Sequence, residues 1–163
     1  MSHPYHDFEP NWVKGEFPKD SYRSIFKWGA PLEIKPPKES LYKLMKEKFH
    51  LTDADFQSYR EDTGFDAVAF DLPIQLTSED LQAFAKIVGS DFVRTDDYAR
   101  LSVAYGKTMY DLLRLRNKIV ENVPDAVLYP DTKEQIEHIV AYCAKKKIPV
   151  YVYGGGSSVT RGV

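Results

Sequence analysis

Three consecutive glycines and two serines form the stretch of this chain best suited to bind an anion. They lie near its C-terminal end, in Tyr151-Val-Tyr-Gly-Gly-Gly-Ser-Ser-Val-Thr-Arg-Gly-Val163, directly after a β-branched and aromatic run. Glycine accepts backbone conformations that other residues resist, so such a turn can direct several N–H groups at one point. Concave sets of backbone amides bind phosphate without a lysine. The stretch favours a pyrophosphate-binding loop, and the alternative is a flexible glycine-serine linker.

The segment before the glycines predicts a strand, a helix and a second strand. Ala126–Tyr129 is an apolar run closed by Pro130, Thr132 and Gln135 form a capping box, and Val150–Tyr153 is β-branched and aromatic. The buried stripe of the helix is predicted to consist of Ile136, Ile139, Val140 and Cys143. This order predicts a parallel unit with the glycine loop at the carboxyl end of its second strand, where α/β folds bind ligands. The predicted fold class is therefore α+β (α/β).

The upstream chain predicts short elements behind an extended arm. Residues 1–39 are rich in proline and aromatic side chains, and we expect this arm to wrap over the domain, the rest of a longer protein or a second subunit. Helices are predicted from a Ser40 cap to Phe49, from Thr52 through Phe56 and Tyr59, and from a Thr77 capping box to Gly89. Residues 67–70 predict a short strand, 96–106 irregular chain, and 109–116 a helical or extended segment.

Composition limits the class of protein. The chain has 163 residues, 43% of them hydrophobic, which suits one soluble domain, and its net charge of -2 offers no electrostatic footprint for nucleic acid or an anionic membrane. No stretch has the length of a transmembrane segment, and the N-terminus lacks the features of a signal peptide. A single cysteine excludes an internal disulfide. We expect a cytoplasmic location.

Two common nucleotide-binding loops do not fit the glycine stretch. A Walker loop ends in Gly-Lys-Ser/Thr, whereas Gly156 is followed by Ser157 and Ser158. A Rossmann loop needs a further glycine at its final position and then a helix, and neither is visible after Gly154-Gly-Gly-Ser-Ser-Val159.

The arrangement resembles the flavin-binding (PCMH-type) domain of the vanillyl-alcohol oxidase and p-cresol methylhydroxylase superfamily. The similar residues are Val123-Pro-Asp-Ala-Val-Leu-Tyr-Pro130, the helix that begins at Thr132, and Ile148-Pro-Val-Tyr-Val-Tyr-Gly-Gly-Gly-Ser-Ser-Val159 with Gly162. The resemblance implies that loop amides hold the pyrophosphate of FAD. Carried over by position, the implied cofactor contacts are Tyr153, Gly154, Gly155, Gly156, Ser157, Ser158 and Val159.

Upstream motifs narrow this resemblance. Phe26-Lys-Trp-Gly29 and Gly106-Lys-Thr-Met-Tyr-Asp-Leu-Leu-Arg-Leu-Arg116 are similar to the N-terminal region of alkyldihydroxyacetonephosphate (alkylglycerone-phosphate) synthases and bacterial FAD-linked oxidases. Two positions depart from the family: Val152 replaces a common proline, and a frequent Trp-Gly-Trp-Gly is only Trp28-Gly29 here.

The resemblance implies a division into residues 1–122, an arm and helical region, and residues 123–163, the start of the flavin domain. It implies oxidation of a hydroxy acid or alcohol, or exchange of acyl for alkyl in ether-lipid synthesis, with a small-molecule substrate. The catalytic residues of such enzymes lie downstream, so we predict no complete active site and weak or no FAD binding by these residues alone. The alternative is a non-catalytic α/β interaction module that uses the aromatic arm.

Other polar residues are weaker candidates. His3 and His6 lack supporting metal ligands, and His138 lies off the apolar stripe of its helix. Cys143 lies on that stripe and is predicted to be a buried structural thiol. The acidic pairs Glu61-Asp62 and Asp96-Asp97 have no proposed partner base, and Arg114, Arg116 and Arg161, which could recognise phosphate, are expected to be solvated or salt-bridged.

Overall fold

The computed structural model describes residues 18–25, 38–57 and 64–159. Predictions for His3, His6, Tyr59, Glu61-Asp62, Arg161 and most of the aromatic arm lie outside these residues. The described chain contains short helices and one small sheet, an α+β arrangement. The helices are α1 (Tyr22–Ile25), α2 (Glu39–Phe49), α3 (Asp53–Gln57), α4 (Ser78–Val88), α5 (Asp97–Ser102), α6 (Met109–Arg116) and α7 (Lys133–Lys146). A 3-10 turn spans Ser90–Phe92, and the strands are β1 (Val93–Arg94) and β2 (Val127–Leu128).

Threonine capping boxes start three of the helices. Thr77, Thr108 and Thr132 each accept a hydrogen bond from the backbone N–H three residues on, and the side chain at that position accepts from the threonine N–H. These boxes satisfy donors that a helix N-terminus leaves unpaired. The predicted starts of α4 and α7 are confirmed, and α6 is helical rather than extended.

The predicted parallel unit is not present among the described residues. Strand β2 forms where it was expected, but it pairs antiparallel with β1, with Val93 opposite Leu128 and Arg94 opposite Val127. Residues 150–153 form no strand. Tyr151 and Val152 are 89% and 92% exposed, and no described strand lies beside them to accept their backbone hydrogen bonds.

Three local predictions also differ from the structure. Residues 97–102 are helical because Asp96 accepts a hydrogen bond from the Ala99 N–H and so caps α5. In the predicted strand at residues 67–70, Ala67 forms a single bridge with Ser21 and the rest is irregular. Helix α2 begins at Glu39, so Ser40 lies inside it and is not its cap.

Two apolar clusters hold the helices together. The first consists of Tyr22, Leu101, Tyr105 and Leu115, and packs α1 against α5 and α6. The second consists of Phe84, Val88, Ile139 and Cys143, and packs α4 against α7. Tyr22 belongs to the predicted arm and donates a hydrogen bond to the Ala69 carbonyl at 2.7 Å, so this part of the arm packs on the domain itself.

Helix α7 buries only half of its predicted stripe. Ile139 and Cys143 are buried, whereas Ile136 and Val140 are about half exposed. Burial raises the pKa of the Cys143 thiol, which keeps it protonated, as expected of a structural cysteine. The same helix is tied to α4 by a hydrogen bond from Tyr142 Oη to Asp80 Oδ1 at 2.8 Å.

Arg100, on α5, is bonded to two other segments of the chain, at residues 70–72 and at Pro124. Its side chain is 3% exposed. Its Nε donates to the Pro124 carbonyl at 2.8 Å, both terminal nitrogens donate to the Leu72 carbonyl at 3.2 Å, and the guanidinium stacks over the Phe70 ring. Because Pro124 precedes β2, Arg100 fixes the start of the C-terminal segment to α5.

Candidate functional site

The glycine loop, residues 153–159, follows the end of α7 after a short exposed lead-in. Lys147 ends the helix in the left-handed conformation at φ 59°, and the Ile148 N–H donates back to the Cys143 carbonyl at 2.9 Å. Helix α7 therefore ends at Lys147, and beyond it residues 153–159 contact the end of α5 and the connection to α6.

Two hydrogen bonds fix the loop to that connection. The hydroxyl of Tyr153 donates to the Ser102 carbonyl at 3.2 Å, and the backbone N–H of Lys107 donates to the Ser158 carbonyl at 2.6 Å. One end of the loop is thus attached to the last residue of α5, and the other to the α5–α6 connection, residues 103–108. Sequence patterns give no sign of this attachment except that the Gly106-Lys-Thr motif marks the connection.

The three glycines have different surroundings. Gly156 is buried at φ 59°, and a Cβ built on it would overlap the Tyr153 hydroxyl oxygen. Gly154 and Gly155 are exposed, and a Cβ on either would meet no described atom within 4 Å. The loop therefore has one side packed on the protein and one open side.

The open side is suited to an anion. Residues 148–159 contain no aspartate or glutamate. Ser157 is exposed, and Val159 is 52% exposed, whereas Ser158 is half-buried. Exposed backbone amides near a serine hydroxyl are neutral donors of the kind that hold phosphate oxygens. The structure thus brings the seven predicted residues into one loop and leaves Gly154, Gly155 and Ser157 accessible.

Burial affects the pKa of Tyr153, the one titratable side chain among residues 153–159. It raises the pKa of Tyr153, which therefore stays a protonated donor at neutral pH. This state matches its hydrogen bond to a carbonyl oxygen, which only an O–H can satisfy.

The other candidate side chains have structural partners. Arg114 pairs with Glu121 and lies over the Tyr105 ring, as expected for a salt-bridged arginine. Asp96 caps α5, and Asp97 accepts a hydrogen bond from the Phe70 N–H at 3.0 Å. Both carboxylates of this acidic pair thus accept hydrogen bonds from backbone N–H groups. His138 is exposed as predicted. Across residues 18–25, 38–57 and 64–159, no three His, Cys, Asp or Glu side chains cluster as metal ligands.

Arg116 differs from these residues because its buried Nε has no hydrogen-bond partner in the part of the chain that the structure describes. Burial also lowers the pKa of its guanidinium. The side chain lies at the C-terminal end of α6, where the helix dipole favours a cation.

Comparisons with known proteins find one family model and several related proteins. The FAD binding domain family matches residues 124–163. The chain is 36% identical over 78 residues to an alkyldihydroxyacetonephosphate synthase of Trypanosoma brucei brucei, covering 48% of this chain and 13% of that protein. It is 32% identical over 73 residues to the synthase of Dictyostelium discoideum, covering 45% of this chain and 12% of that protein.

A third relative has a more similar length. The chain is 38% identical over 104 residues to Protein Rv2250A of Mycobacterium tuberculosis, covering 63% of this chain and 66% of that protein. The chain thus spans about an eighth of each of the two synthases and about two thirds of the mycobacterial protein. No solved structure matches significantly.

Proposed function

We propose that this chain, an FAD-binding protein similar to the alkyldihydroxyacetonephosphate synthases, is the N-terminal part of a flavin enzyme and supplies its pyrophosphate-binding loop. The observation that carries this proposal is the open side of the loop. Gly154 and Gly155 are exposed within the segment that matches the FAD binding domain, and a Cβ on either would meet no described atom within 4 Å.

In this function the chain's own residues bind and orient. The backbone N–H groups of residues 153–159 donate to the pyrophosphate, and the exposed Ser157 hydroxyl adds a further donor. The flavin supplies the electron chemistry when it is bound. The residues beneath the loop hold it in place and keep water from its packed side.

The domain division proposed here places residues 1–122 before the flavin domain and residues 123–163 within it. The family match from residue 124 supports this boundary. We further propose that residues 150–153 become the second strand of a βαβ unit when the rest of the sheet is present. Their exposed β-branched and aromatic side chains support this, because such residues pack well in sheets.

We propose two alternative reactions for the whole enzyme. One is oxidation of a hydroxy acid or alcohol, and the other is the alkyl-for-acyl exchange of the synthases that the chain resembles. Both use a small-molecule substrate, and the rest of the site comes from the same protein or a second subunit. We propose a cytoplasmic location. No described helix combines the length and hydropathy that a membrane crossing requires.

A non-catalytic interaction module is the second candidate function. One observation favours it: helix α6 exposes Met109, Tyr110 and Leu113, which are 68%, 70% and 47% accessible. An apolar helix face of this kind can contact another protein surface. The same face can equally pack on the rest of a flavin enzyme.

Purification from the native organism separates these two functions. With an affinity tag before Met1 at the native gene, we expect a yellow protein that contains FAD, present as a chain larger than 18.7 kDa or bound to a second polypeptide. Residues 1–163 alone are expected to bind FAD weakly or not at all, because one loop is only part of a site that encloses a large ligand. A colourless 18.7-kDa product that FAD cannot reconstitute would reject the flavin function and support the module.

A further inference from the structure

We propose that Tyr153 is a positioning residue for the glycine loop, and that the three glycines divide into two roles. Gly156 and Tyr153 together form the packed side, which attaches the loop to the α5–α6 connection. Gly154 and Gly155 form the open side, which meets the ligand. The ligand role rests on the proposed FAD function, whereas the attachment is a property of the chain without any ligand.

The contact between Tyr153 and Gly156 gives the first argument. The phenol folds back beneath the residue three positions later, so its hydroxyl oxygen occupies the space that a side chain on Gly156 would need. Gly156 also has φ 59°, a left-handed conformation that disfavours a Cβ. Both facts require glycine at position 156, and neither involves a ligand.

The hydrogen bonds of the loop give the second argument. Tyr153 Oη reaches the Ser102 carbonyl at the end of α5, and Ser158 accepts from Lys107 just before α6. The tyrosine ring is rigid and half-buried, so it transmits the position of α5 to the loop through few rotatable bonds. Residues far upstream of the flavin segment thus set where the open amides lie.

The contrasting glycines give the third argument. Neither Gly154 nor Gly155 has a positive φ, and a Cβ on either meets no described atom within 4 Å. An alanine at either position is therefore compatible with the chain as it stands. Any requirement for glycine at these two positions comes from what approaches the open side.

Amide hydrogen exchange of residues 1–163 tests the attachment without FAD. The probe is the Lys107 N–H, which is bonded to Ser158, and the Tyr129 N–H, bonded to the Phe92 carbonyl at 3.0 Å, is the reference. Tyr153→Phe removes one hydrogen bond but keeps the ring, so we expect Lys107 to exchange about 2- to 12-fold faster, with Tyr129 unchanged. Tyr153→Ala removes the ring as well and is expected to have a larger effect.

Matched variants make this result specific. Tyr151→Phe alters a tyrosine two residues away that is 89% exposed, and it is expected to leave Lys107 exchange unchanged. Gly156→Ala is expected to accelerate Lys107 exchange, whereas Gly155→Ala is not. Tyr153→Ala removes the ring that would clash with a side chain at position 156. The two substitutions together are therefore expected to accelerate Lys107 exchange by less than their separate effects combined. Equal exchange in the wild type, Tyr153→Phe and Tyr153→Ala would overturn the proposal.

FAD affinity of the purified holoprotein provides the second measurement. Tyr153→Ala is expected to weaken FAD binding. Tyr153→Phe is expected to weaken it much less, because the ring still supports Gly156. If the exchange results hold but no form binds FAD, the attachment stands and the flavin function fails. If Gly155 variants lose FAD while Tyr153 variants change neither exchange nor affinity, the function stands and the positioning role is wrong.

Discussion

Replacement of Gly155 by valine is expected to abolish FAD retention by the holoprotein while leaving its fold intact. A Cβ at this position meets no described atom within 4 Å, and we expect the fold to accept the two further carbons of valine on this exposed residue. The added side chain does occupy the surface through which backbone amides would approach a pyrophosphate. Loss of two hydrogen bonds to charged oxygens corresponds to about 3–6 kcal/mol, or roughly 100- to 20,000-fold weaker binding. Flavin absorbance and thermal unfolding measure the two effects separately.

The control adds similar volume elsewhere on the surface. Ala141 lies on the exposed side of α7, and Ala141→Leu is expected to change neither flavin content nor unfolding temperature. Unchanged flavin content in Gly155→Val would show that the cofactor binds away from this loop. A large drop in the unfolding temperature of the valine variant would show instead that Gly155 is needed for the fold.

Replacement of Arg100 by methionine is expected to lower the free energy of unfolding by about 2–4 kcal/mol. The methionine keeps much of the buried volume, but the carbonyls of Pro124 and Leu72 lose the guanidinium that satisfies them. Lysine is expected to rescue only part of the loss, because a single ammonium cannot reproduce the planar fork that reaches both carbonyls. Urea unfolding followed by circular dichroism measures the change.

Arg94 provides the matched control. It is about half exposed and pairs with Asp96, two residues away, at 2.7 Å. Exposed ion pairs contribute little, so Arg94→Met is expected to leave the urea midpoint nearly unchanged. Equal midpoints for Arg100→Met and the wild type would contradict the role of Arg100 in joining the three segments.

The sequence predicts those elements whose signals are local. The Thr77 and Thr132 capping boxes specify the starts of α4 and α7, and Gly89 specifies the end of α4, because the hydrogen bonds involved lie within four residues. The glycine loop is likewise recognisable from its own composition. The family match at residues 124–163 confirms the inferred resemblance of this segment to the FAD binding domain, and the role of the loop itself stays a prediction.

Features that depend on distant partners were not predictable. The run at residues 150–153 has strand-forming side chains, but a strand needs a neighbour, and none of the described residues provides one. Arg100 looks like any surface arginine until Leu72 and Pro124 are brought to it. The attachment of Tyr153 to Ser102 joins residues 51 positions apart, which no local pattern encodes.

The position of the pyrophosphate in a crystal structure of the FAD-loaded protein tests the central claim most directly. The account predicts phosphate oxygens about 3 Å from the backbone nitrogens of Gly154 and Gly155, with Tyr153 still donating to the Ser102 carbonyl. A pyrophosphate bound elsewhere, with the open side of the glycine loop facing solvent, would contradict it.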